Sequence, residues 1–211
     1  MPRIRRALLD AADDLGRRDP VMARAIAGTG PPDIRRGRPR TEHFAELARA
    51  ICFQQLAGPA ARAIHGRFEA LFDGQPTPER VLATRMPKLR SVGLSASKAA
   101  SIRDLAAKVV EGSVQLERVG RLSDDEIVRE LTLVRGIGRW TAEMFLIFQL
   151  GRLDVWPVDD LGVRKGYARL YDHAELPPPK VLEGLGDPFR PYRSVAAWYC
   201  WRATDTVLPT G

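Results

Sequence analysis

Two adjacent acidic residues, Asp159 and Asp160, lie 20 residues after Trp140 (160 − 140). A fixed carboxylate can stabilise positive charge that develops during a reaction, and it can also cap the start of a helix. The residues that follow have helical spacing, so we predict that Asp159 is the N-cap and Asp160 the first helical residue. The helix dipole would then favour negative charge at Asp160. Asp160 is our candidate catalytic residue, and simple capping is the alternative for both aspartates.

Two glycines, Gly136 and Gly138, are separated by one residue and stand between two predicted helices. The first helix begins with a capping box, Ser123 followed three residues later by Glu126. The second is expected over 139–150, where apolar residues recur at helical spacing. Such a turn directs backbone N–H groups and a helix N-terminus at one place, which creates an anion site. A Gly-x-Gly turn is often a plain connector, but the aspartate pair that follows makes this pattern more specific.

The composition indicates which anion is expected. The chain has 211 residues, 45% of them apolar, and a formal net charge of +7 with a pI near 9.9. A basic chain of ordinary apolar content is typical of a globular protein with a polyanionic partner. Nucleic-acid phosphate is therefore the expected ligand of the glycine turn.

The cysteines and the hydropathy pattern indicate in which cellular compartment the protein is expected. Cys52 and Cys200 are too few and too far apart for a metal cluster, and we interpret them as reduced core thiols. No apolar run is long enough to cross a bilayer, and the first residues lack the apolar core of a signal peptide. We expect a monomer without membrane contact, in the cytoplasm and nucleoid-associated if the source is bacterial.

At the hairpin the sequence resembles a known family. The pattern Leu131-x-x-Val-x-Gly-Ile-Gly-Arg-Trp-Thr-Ala, followed by Asp159-Asp160, is similar to the helix-hairpin-helix (HhH-GPD) DNA glycosylases, and within them to the DNA-3-methyladenine glycosylase II family. The resemblance covers about Asp19 to Ala203. It implies one all-α domain over 1–211 with two helical lobes and an interlobe active-site cleft. One lobe would hold 1–40 and 165–211, and the other 41–164 with the hairpin at 123–150.

The resemblance also implies a reaction. It predicts a monofunctional enzyme that hydrolyses the N-glycosidic bond of alkylated bases, of the 3-methyladenine and 7-methylguanine type, in double-stranded DNA during base-excision repair. In that reaction Asp160 would stabilise the positive charge on the sugar. Relatives that also cut the DNA backbone carry a lysine where this chain has Trp140, and this absence favours the monofunctional class.

Aromatic side chains are the expected walls of a pocket for the extruded base. The candidates are Trp140, Trp156 and Trp201, with Met144 where the best-known bacterial member has an aromatic residue. Aromatics at helical spacing are usually core residues, and this is the alternative for each.

Two further groups of contacts follow from the resemblance. Gln55, with Leu56 beside it, matches the residue that fills the space left by the extruded base, although glutamines at a helix break can also cap backbone groups. Phosphate contacts are expected at the hairpin residues Gly136, Ile137, Gly138 and Arg139.

No cofactor is expected, with one possible addition. Main-chain carbonyls of Thr132, Val134 and Ile137 match positions that hold a monovalent cation against a phosphate in related hairpins. An iron–sulfur cluster is not expected, because the chain lacks the four-cysteine loop of the endonuclease III branch.

The remaining pattern is helical, and no stretch shows the alternation of a strand. Helices are expected at 3–16, 20–27, 42–54, 60–72, twice within 81–112, 161–171 and 192–203. A Pro- and Gly-rich linker is expected at 28–40. Lys98 is interpreted as a surface lysine, with phosphate contact as the alternative.

Two other functions stay open at this level. One is a non-catalytic helix-hairpin-helix module that binds DNA as a scaffold. The other is a glycosylase for mismatched or oxidised bases.

Overall fold

The computed structural model describes residues 2–34, 42–56 and 58–204, and these ranges contain helices and no strand. The fold is all-α, as predicted. The α-helices are α1 (Pro2–Arg18), α2 (Pro20–Thr29), α3 (His43–Phe53), α4 (Gly58–Ala70), α5 (Pro78–Ala83), α6 (Met86–Ser91), α7 (Ala96–Val110), α8 (Asp124–Thr132), α9 (Arg139–Met144), α10 (Leu161–Leu170), α11 (Pro179–Leu185) and α12 (Arg193–Ala203). Within the described ranges no helix is long and apolar enough to span a membrane.

The capping box at the start of α8 is confirmed. The Ser123 backbone N–H donates to Glu126 Oε2 at 2.7 Å, and the Glu126 N–H donates to Ser123 Oγ at 3.3 Å. The Ser123 hydroxyl also donates to Glu126 Oε2 at 2.7 Å, and the bonds from this hydroxyl and from the Ser123 N–H lower the pKa of the Glu126 carboxyl. The helix ends at Thr132, and residues 133–136 form the turn.

The helix predicted over 139–150 changes type along its length. It is α-helical as α9 and then π-helical over Phe145–Gln149. π-helical turns are rare inside α-helices and are frequent at functional sites.

The chain divides into two compact units. Unit one comprises Met1–Arg36 and Leu146–Gly211, and unit two comprises Gly37–Phe145. In unit one, α12 packs against α1, α2 and α10. The approach of α10 to α12 is close at Gly166, where a Cβ would overlap the Cys200 backbone.

The boundary of unit one corrects the prediction that 41–164 forms one lobe. Residues 146–164 belong with the terminal segments because they bond to α12. The Val155 N–H donates to Ser194 Oγ at 2.9 Å, and Arg193 Nε donates to Asp154 Oδ1 at 2.7 Å. The other expected boundary, at residue 40, lies outside the described residues, as does most of the second half of the predicted linker.

Unit two is organised around α7, which packs against α3, α5 and α6. Its buried side is formed by Ala99, Ser101, Ile102, Leu105 and Ala106. Three helices, α5 to α7, occupy the region around 81–112 where two were predicted. The short helices α5 and α6 each carry a proline in the first turn, a position that tolerates the missing N–H.

Candidate functional site

Asp160, the predicted catalytic residue, is the N-cap of α10. Its Oδ1 accepts a hydrogen bond from the Val163 N–H at 2.8 Å, and its side chain is buried, with 9% exposure. The prediction that Asp159 caps this helix is therefore wrong, because Asp159 lies exposed in the preceding turn. Capping applies to Asp160 itself, so capping and catalysis are not mutually exclusive for this residue.

A second donor to Asp160 comes from α12. Trp201 Nε1 donates to the same Oδ1 at 2.8 Å, and the indole is only 1% exposed. The ring packs on Phe148 with centroids 5.6 Å apart. Two N–H donors on one oxygen fix the orientation of the carboxylate. Trp201 was predicted to form a pocket wall, which stays a prediction, and its contacts connect it to Asp160 and Phe148.

Cys200 lies beside this pair. Burial, together with the negative charge of Asp160, raises the pKa of the Cys200 thiol. The thiol therefore stays neutral and contributes packing, in agreement with its interpretation as a core residue.

Trp156 belongs to a different part of unit one. Its Nε1 donates to the Leu182 carbonyl at 2.8 Å, and the ring lies against Phe189 and Gly186. With 5% exposure it presents little ring surface on which a base could stack. These contacts favour packing, the alternative considered for this residue, over a pocket wall.

The remaining pocket candidates lie in unit two, on α9. Trp140 is in the first turn and is 42% exposed, an unusual fraction for a side chain with so large an apolar surface. Met144, the last residue of α9, is buried. Trp140 is therefore the predicted wall residue that offers an accessible ring.

The two hairpin glycines serve different purposes. Gly136 has a φ of 78°, and a Cβ there would lie 2.7 Å from Ser101 Oγ on α7. Gly138, the N-cap of α9, has a φ of −92° and open space around its missing side chain. The first glycine is required by backbone conformation and packing, whereas the backbone conformation and the described surroundings of Gly138 would accept a side chain.

The hairpin turn is held by one hydrogen bond within the turn and one to a side chain of α7. The Ile137 N–H donates to the Val134 carbonyl at 3.0 Å, and the Arg135 N–H donates to Asp104 Oδ2 at 2.7 Å. The Ile137 side chain is buried. The backbone path of the turn is therefore set by α7 and by the turn itself.

The predicted carbonyl ligands of a cation lie at the end of α8 and in the turn after it. Thr132 is the last residue of α8, where carbonyls have no following helical turn to accept from, and Val134 and Ile137 lie in the turn. The described residues contain no group of three or more His, Cys, Asp or Glu side chains that could hold a metal ion.

Arg139, a predicted phosphate contact, is paired with a glutamate of its own helix. Its Nε donates to Glu143 Oε1 at 2.9 Å, one helical turn along α9. The arginine side chain is largely exposed while the glutamate is buried. Arg139 thus presents positive charge at the surface and pairs with a buried carboxylate.

The predicted wedge residues form the turn between α3 and α4. Gln55 is exposed and has a φ of 54°, a left-handed conformation that is uncommon outside glycine. Leu56 is 39% exposed. We call residues Gln54, Gln55 and Leu56 the wedge turn.

Two hydrogen bonds, one from the wedge turn and one to the end of α3, were not predicted from the sequence. Gln54 Nε2 donates to the Gly136 carbonyl at 2.8 Å, and Lys98 Nζ donates to the Cys52 carbonyl at 2.8 Å. Burial lowers the pKa of the Lys98 amine. Lys98 is therefore half-buried and bonded within unit two, rather than a plain surface lysine. A glutamine pair at a helix break was the available indication, but it does not identify the distant partner.

The sequence matches a known family over most of its length. It matches the HhH-GPD superfamily base excision DNA repair protein over residues 48–191, which is 144 of 211 residues (191 − 48 + 1). DNA-3-methyladenine glycosylase 1 of Schizosaccharomyces pombe is 39% identical over 172 residues, covering 80% of this chain and 75% of that protein.

Solved structures give the same correspondence. The Schizosaccharomyces pombe 3-methyladenine DNA glycosylase in complex with abasic DNA superposes with a TM-score of 0.82 and 36% identity, covering 96% of this chain and all of that one. DNA-3-methyladenine glycosidase from Bacillus halodurans superposes with a TM-score of 0.83 and 34% identity, covering 91% of this chain and 88% of that one.

Proposed function

The chain belongs to the HhH-GPD superfamily of base excision DNA repair proteins, and we propose that it is a monofunctional DNA glycosylase for alkylated bases. Its substrate is double-stranded DNA that carries lesions of the 3-methyladenine and 7-methylguanine type. The names of its relatives support this lesion class, since they are called 3-methyladenine glycosylases and one was solved on abasic DNA, the product of base removal.

The observation that carries the proposal is the carboxylate of Asp160, held by the N–H groups of Val163 and Trp201. A helix cap needs only the first of these donors. The second comes from an indole 41 residues away, and it fixes the orientation of the carboxylate. A buried charge with a defined direction is what stabilisation of a nearby cation requires.

The chemistry follows from that charge. The bond between C1′ of the sugar and the base nitrogen breaks with its electron pair moving to the base, so positive charge develops on the sugar. Asp160 stabilises that charge, and water then forms the new C1′–O bond and loses a proton. A cationic methylated base departs as a neutral molecule, so it needs no dedicated acid.

The hairpin is the proposed phosphate anchor. Gly138 leaves the start of α9 uncovered, and Arg139 adds exposed positive charge beside it. An approaching phosphate would meet the N–H groups of this turn and the positive end of the helix. Carbonyls of Thr132, Val134 and Ile137 are the proposed ligands of a monovalent cation that would bridge to the same phosphate.

The wedge turn and Trp140 are the proposed contacts with the bases. Gln55 and Leu56 are exposed side chains just after α3, and a group that enters a duplex must be exposed. The exposed ring of Trp140 is suited to stack on a base, and a cationic ring would gain about 0.5–2 kcal/mol from it. Because position 140 carries no amine, we propose base removal without strand cleavage. We also propose that the reaction needs no organic cofactor.

The test is release of free bases from methylated DNA. Purified protein is incubated with DNA treated with a methylating agent, and the supernatant is analysed for 3-methyladenine and 7-methylguanine by chromatography. We expect both bases to appear and borohydride to trap no protein on the DNA. Binding without release would favour the scaffold alternative, and covalent trapping would contradict the monofunctional assignment.

A further inference from the structure

We propose that Gln54 is a positioning residue that ties the wedge turn to the hairpin, so that phosphate anchoring and base displacement share one register. This inference rests on the proposed function. It assigns Gln54 a role distinct from that of its neighbour Gln55, which is the proposed wedge.

The direct connection is one hydrogen bond within unit two. Gln54 Nε2 donates to the carbonyl of Gly136 at 2.8 Å, across 82 residues of sequence. Gly136 is itself fixed, since its φ of 78° and its contact with Ser101 allow no side chain there. The amide of Gln54 is therefore bonded to a hairpin residue at which only glycine fits.

A second connection runs through α7. Lys98, Ser101 and Asp104 are spaced three residues apart and so lie along one side of that helix. Lys98 Nζ donates to the carbonyl of Cys52 at the end of α3, Ser101 lies beside Gly136, and Asp104 accepts from the Arg135 N–H. One side of α7 is thus bonded to the hairpin and to α3, two residues before the wedge turn.

The conformation of Gln55 is the consequence of these two connections. Its φ of 54° lies in the left-handed region, where a residue with a side chain is strained and glycine is usual. The Lys98 bond lies three residues before it and the Gln54 bond one residue before it. We infer that the connections impose this bend, and that without Gln54 the wedge turn would relax while the hairpin remained intact.

The test separates wedging from binding and from folding. Gln54→Met keeps the length of the side chain and removes the N–H donor, and Gln54→Lys restores a donor. Gln75→Met is the matched control, because it removes an exposed glutamine of the same unit. Single-turnover base release is measured on a lesion paired in a duplex and on the same lesion opposite a stable abasic site, where displacement costs less.

We expect Gln54→Met to slow release from the paired lesion about tenfold and from the unpaired lesion less than about threefold. Gln54→Lys should recover most of the difference, and Gln75→Met should match the wild type on both substrates. Affinity for abasic DNA and the melting temperature should change little. Equal rates for Gln54→Met and wild type, or an equal loss on both substrates, would overturn the inference.

A second readout distinguishes this inference from the proposed function. A duplex with 2-aminopurine beside the lesion reports unstacking by a rise in fluorescence, whether or not a base is released. If the wild type gives that rise without releasing a base, the proposed function fails and the inference is still tested. Gln54→Met should then lose the rise, and a rise of wild-type size would refute its positioning role.

Discussion

A single residue, Asp160, serves two purposes in this protein. As the N-cap of α10 it satisfies an orphan N–H of the first turn, and as a carboxylate held by Trp201 it provides an oriented negative charge. The two purposes separate chemically, because an amide oxygen can still accept both hydrogen bonds whereas only the carboxylate carries the charge.

We predict that Asp160→Asn abolishes most activity and preserves the fold. Base release should fall by about two to four orders of magnitude, equal to roughly 3–5 kcal/mol of transition-state stabilisation. Cationic 7-methylguanine should lose less than a neutral base. Binding to abasic DNA and the free energy of unfolding should change little, as measured by anisotropy and by urea denaturation.

Two companion variants complete that experiment. Asp160→Ala should lower the free energy of unfolding by about 0.5–2 kcal/mol, because alanine cannot cap the helix. Asp159→Asn changes an exposed turn residue and should leave base release within about twofold of the wild type. Near-normal release by Asp160→Asn would contradict the catalytic assignment and make Asp159 the next candidate.

We predict that Trp201→Phe reduces base release by roughly one to two orders of magnitude, because phenylalanine keeps the packing on Phe148 but cannot donate to Asp160. Trp156→Phe is the matched control. It removes an equally buried indole donor whose partner is the Leu182 carbonyl. Both variants should lose stability, and single-turnover rates with saturating enzyme separate them: an equal loss of release in both would indicate a general packing effect.

At the scale of elements, the hairpin shows why its two glycines should respond differently to mutation. Gly136 has a positive φ and lies too close to Ser101 to carry a side chain, so the fold depends on a glycine there. Gly138 has an ordinary backbone conformation and open surroundings, so only an approaching ligand would meet a side chain there.

We predict that Gly138→Ala leaves the free energy of unfolding within about 0.5 kcal/mol of the wild type and weakens DNA binding on all sequences alike. Gly136→Ala should instead destabilise the protein by about 1–3 kcal/mol. Urea denaturation and anisotropy at fixed salt are measured for both variants. Unchanged DNA affinity in Gly138→Ala would count against the hairpin as the anchor.

At the scale of the whole molecule, several buried acids hold their protons in the folded state. Burial raises the pKa of Cys52 and of Tyr199, each to about 12, from ordinary values of 9.0 and 10.0. Burial also raises the pKa of Cys200 and Tyr171, and the bond from the Tyr171 hydroxyl to Asp19 contributes to the latter shift.

These raised pKa values make the free energy of unfolding depend on pH in the alkaline range. Unfolded thiols and phenols lose protons above their ordinary pKa values, while the folded protein retains them. This contribution to stability is fully present below about pH 9 and is lost as pH rises towards 12. We predict that the free energy of unfolding falls progressively above about pH 9, as measured by urea denaturation across the alkaline range.

Cys52→Ala provides the control for that measurement. It should lower stability at neutral pH by opening a small cavity, and it should make the alkaline decline less steep because one retained proton is gone. A decline of identical steepness in the variant would show that Cys52 does not contribute.

Features that depend on near neighbours could be predicted from the sequence. The capping box of α8, the all-α class and the glycine turn follow from residues a few positions apart, whose interactions any surrounding fold preserves. The family motif added the role of Asp160, which remains a prediction. The same local reasoning misplaced the cap of α10 by one residue, because Asp159 and Asp160 are both good capping residues and local pattern does not choose between them.

Contacts between groups far apart in the sequence became known from the folded structure. The indole of Trp201 reaches Asp160 across 41 residues, and the amide of Gln54 reaches the hairpin across 82. Lys98 turns its ammonium to the carbonyl of Cys52, at the end of another helix. A hydrogen bond depends on the placement of two atoms to within a fraction of an ångström, and that placement results from the packing of whole helices, which no spacing along the chain encodes.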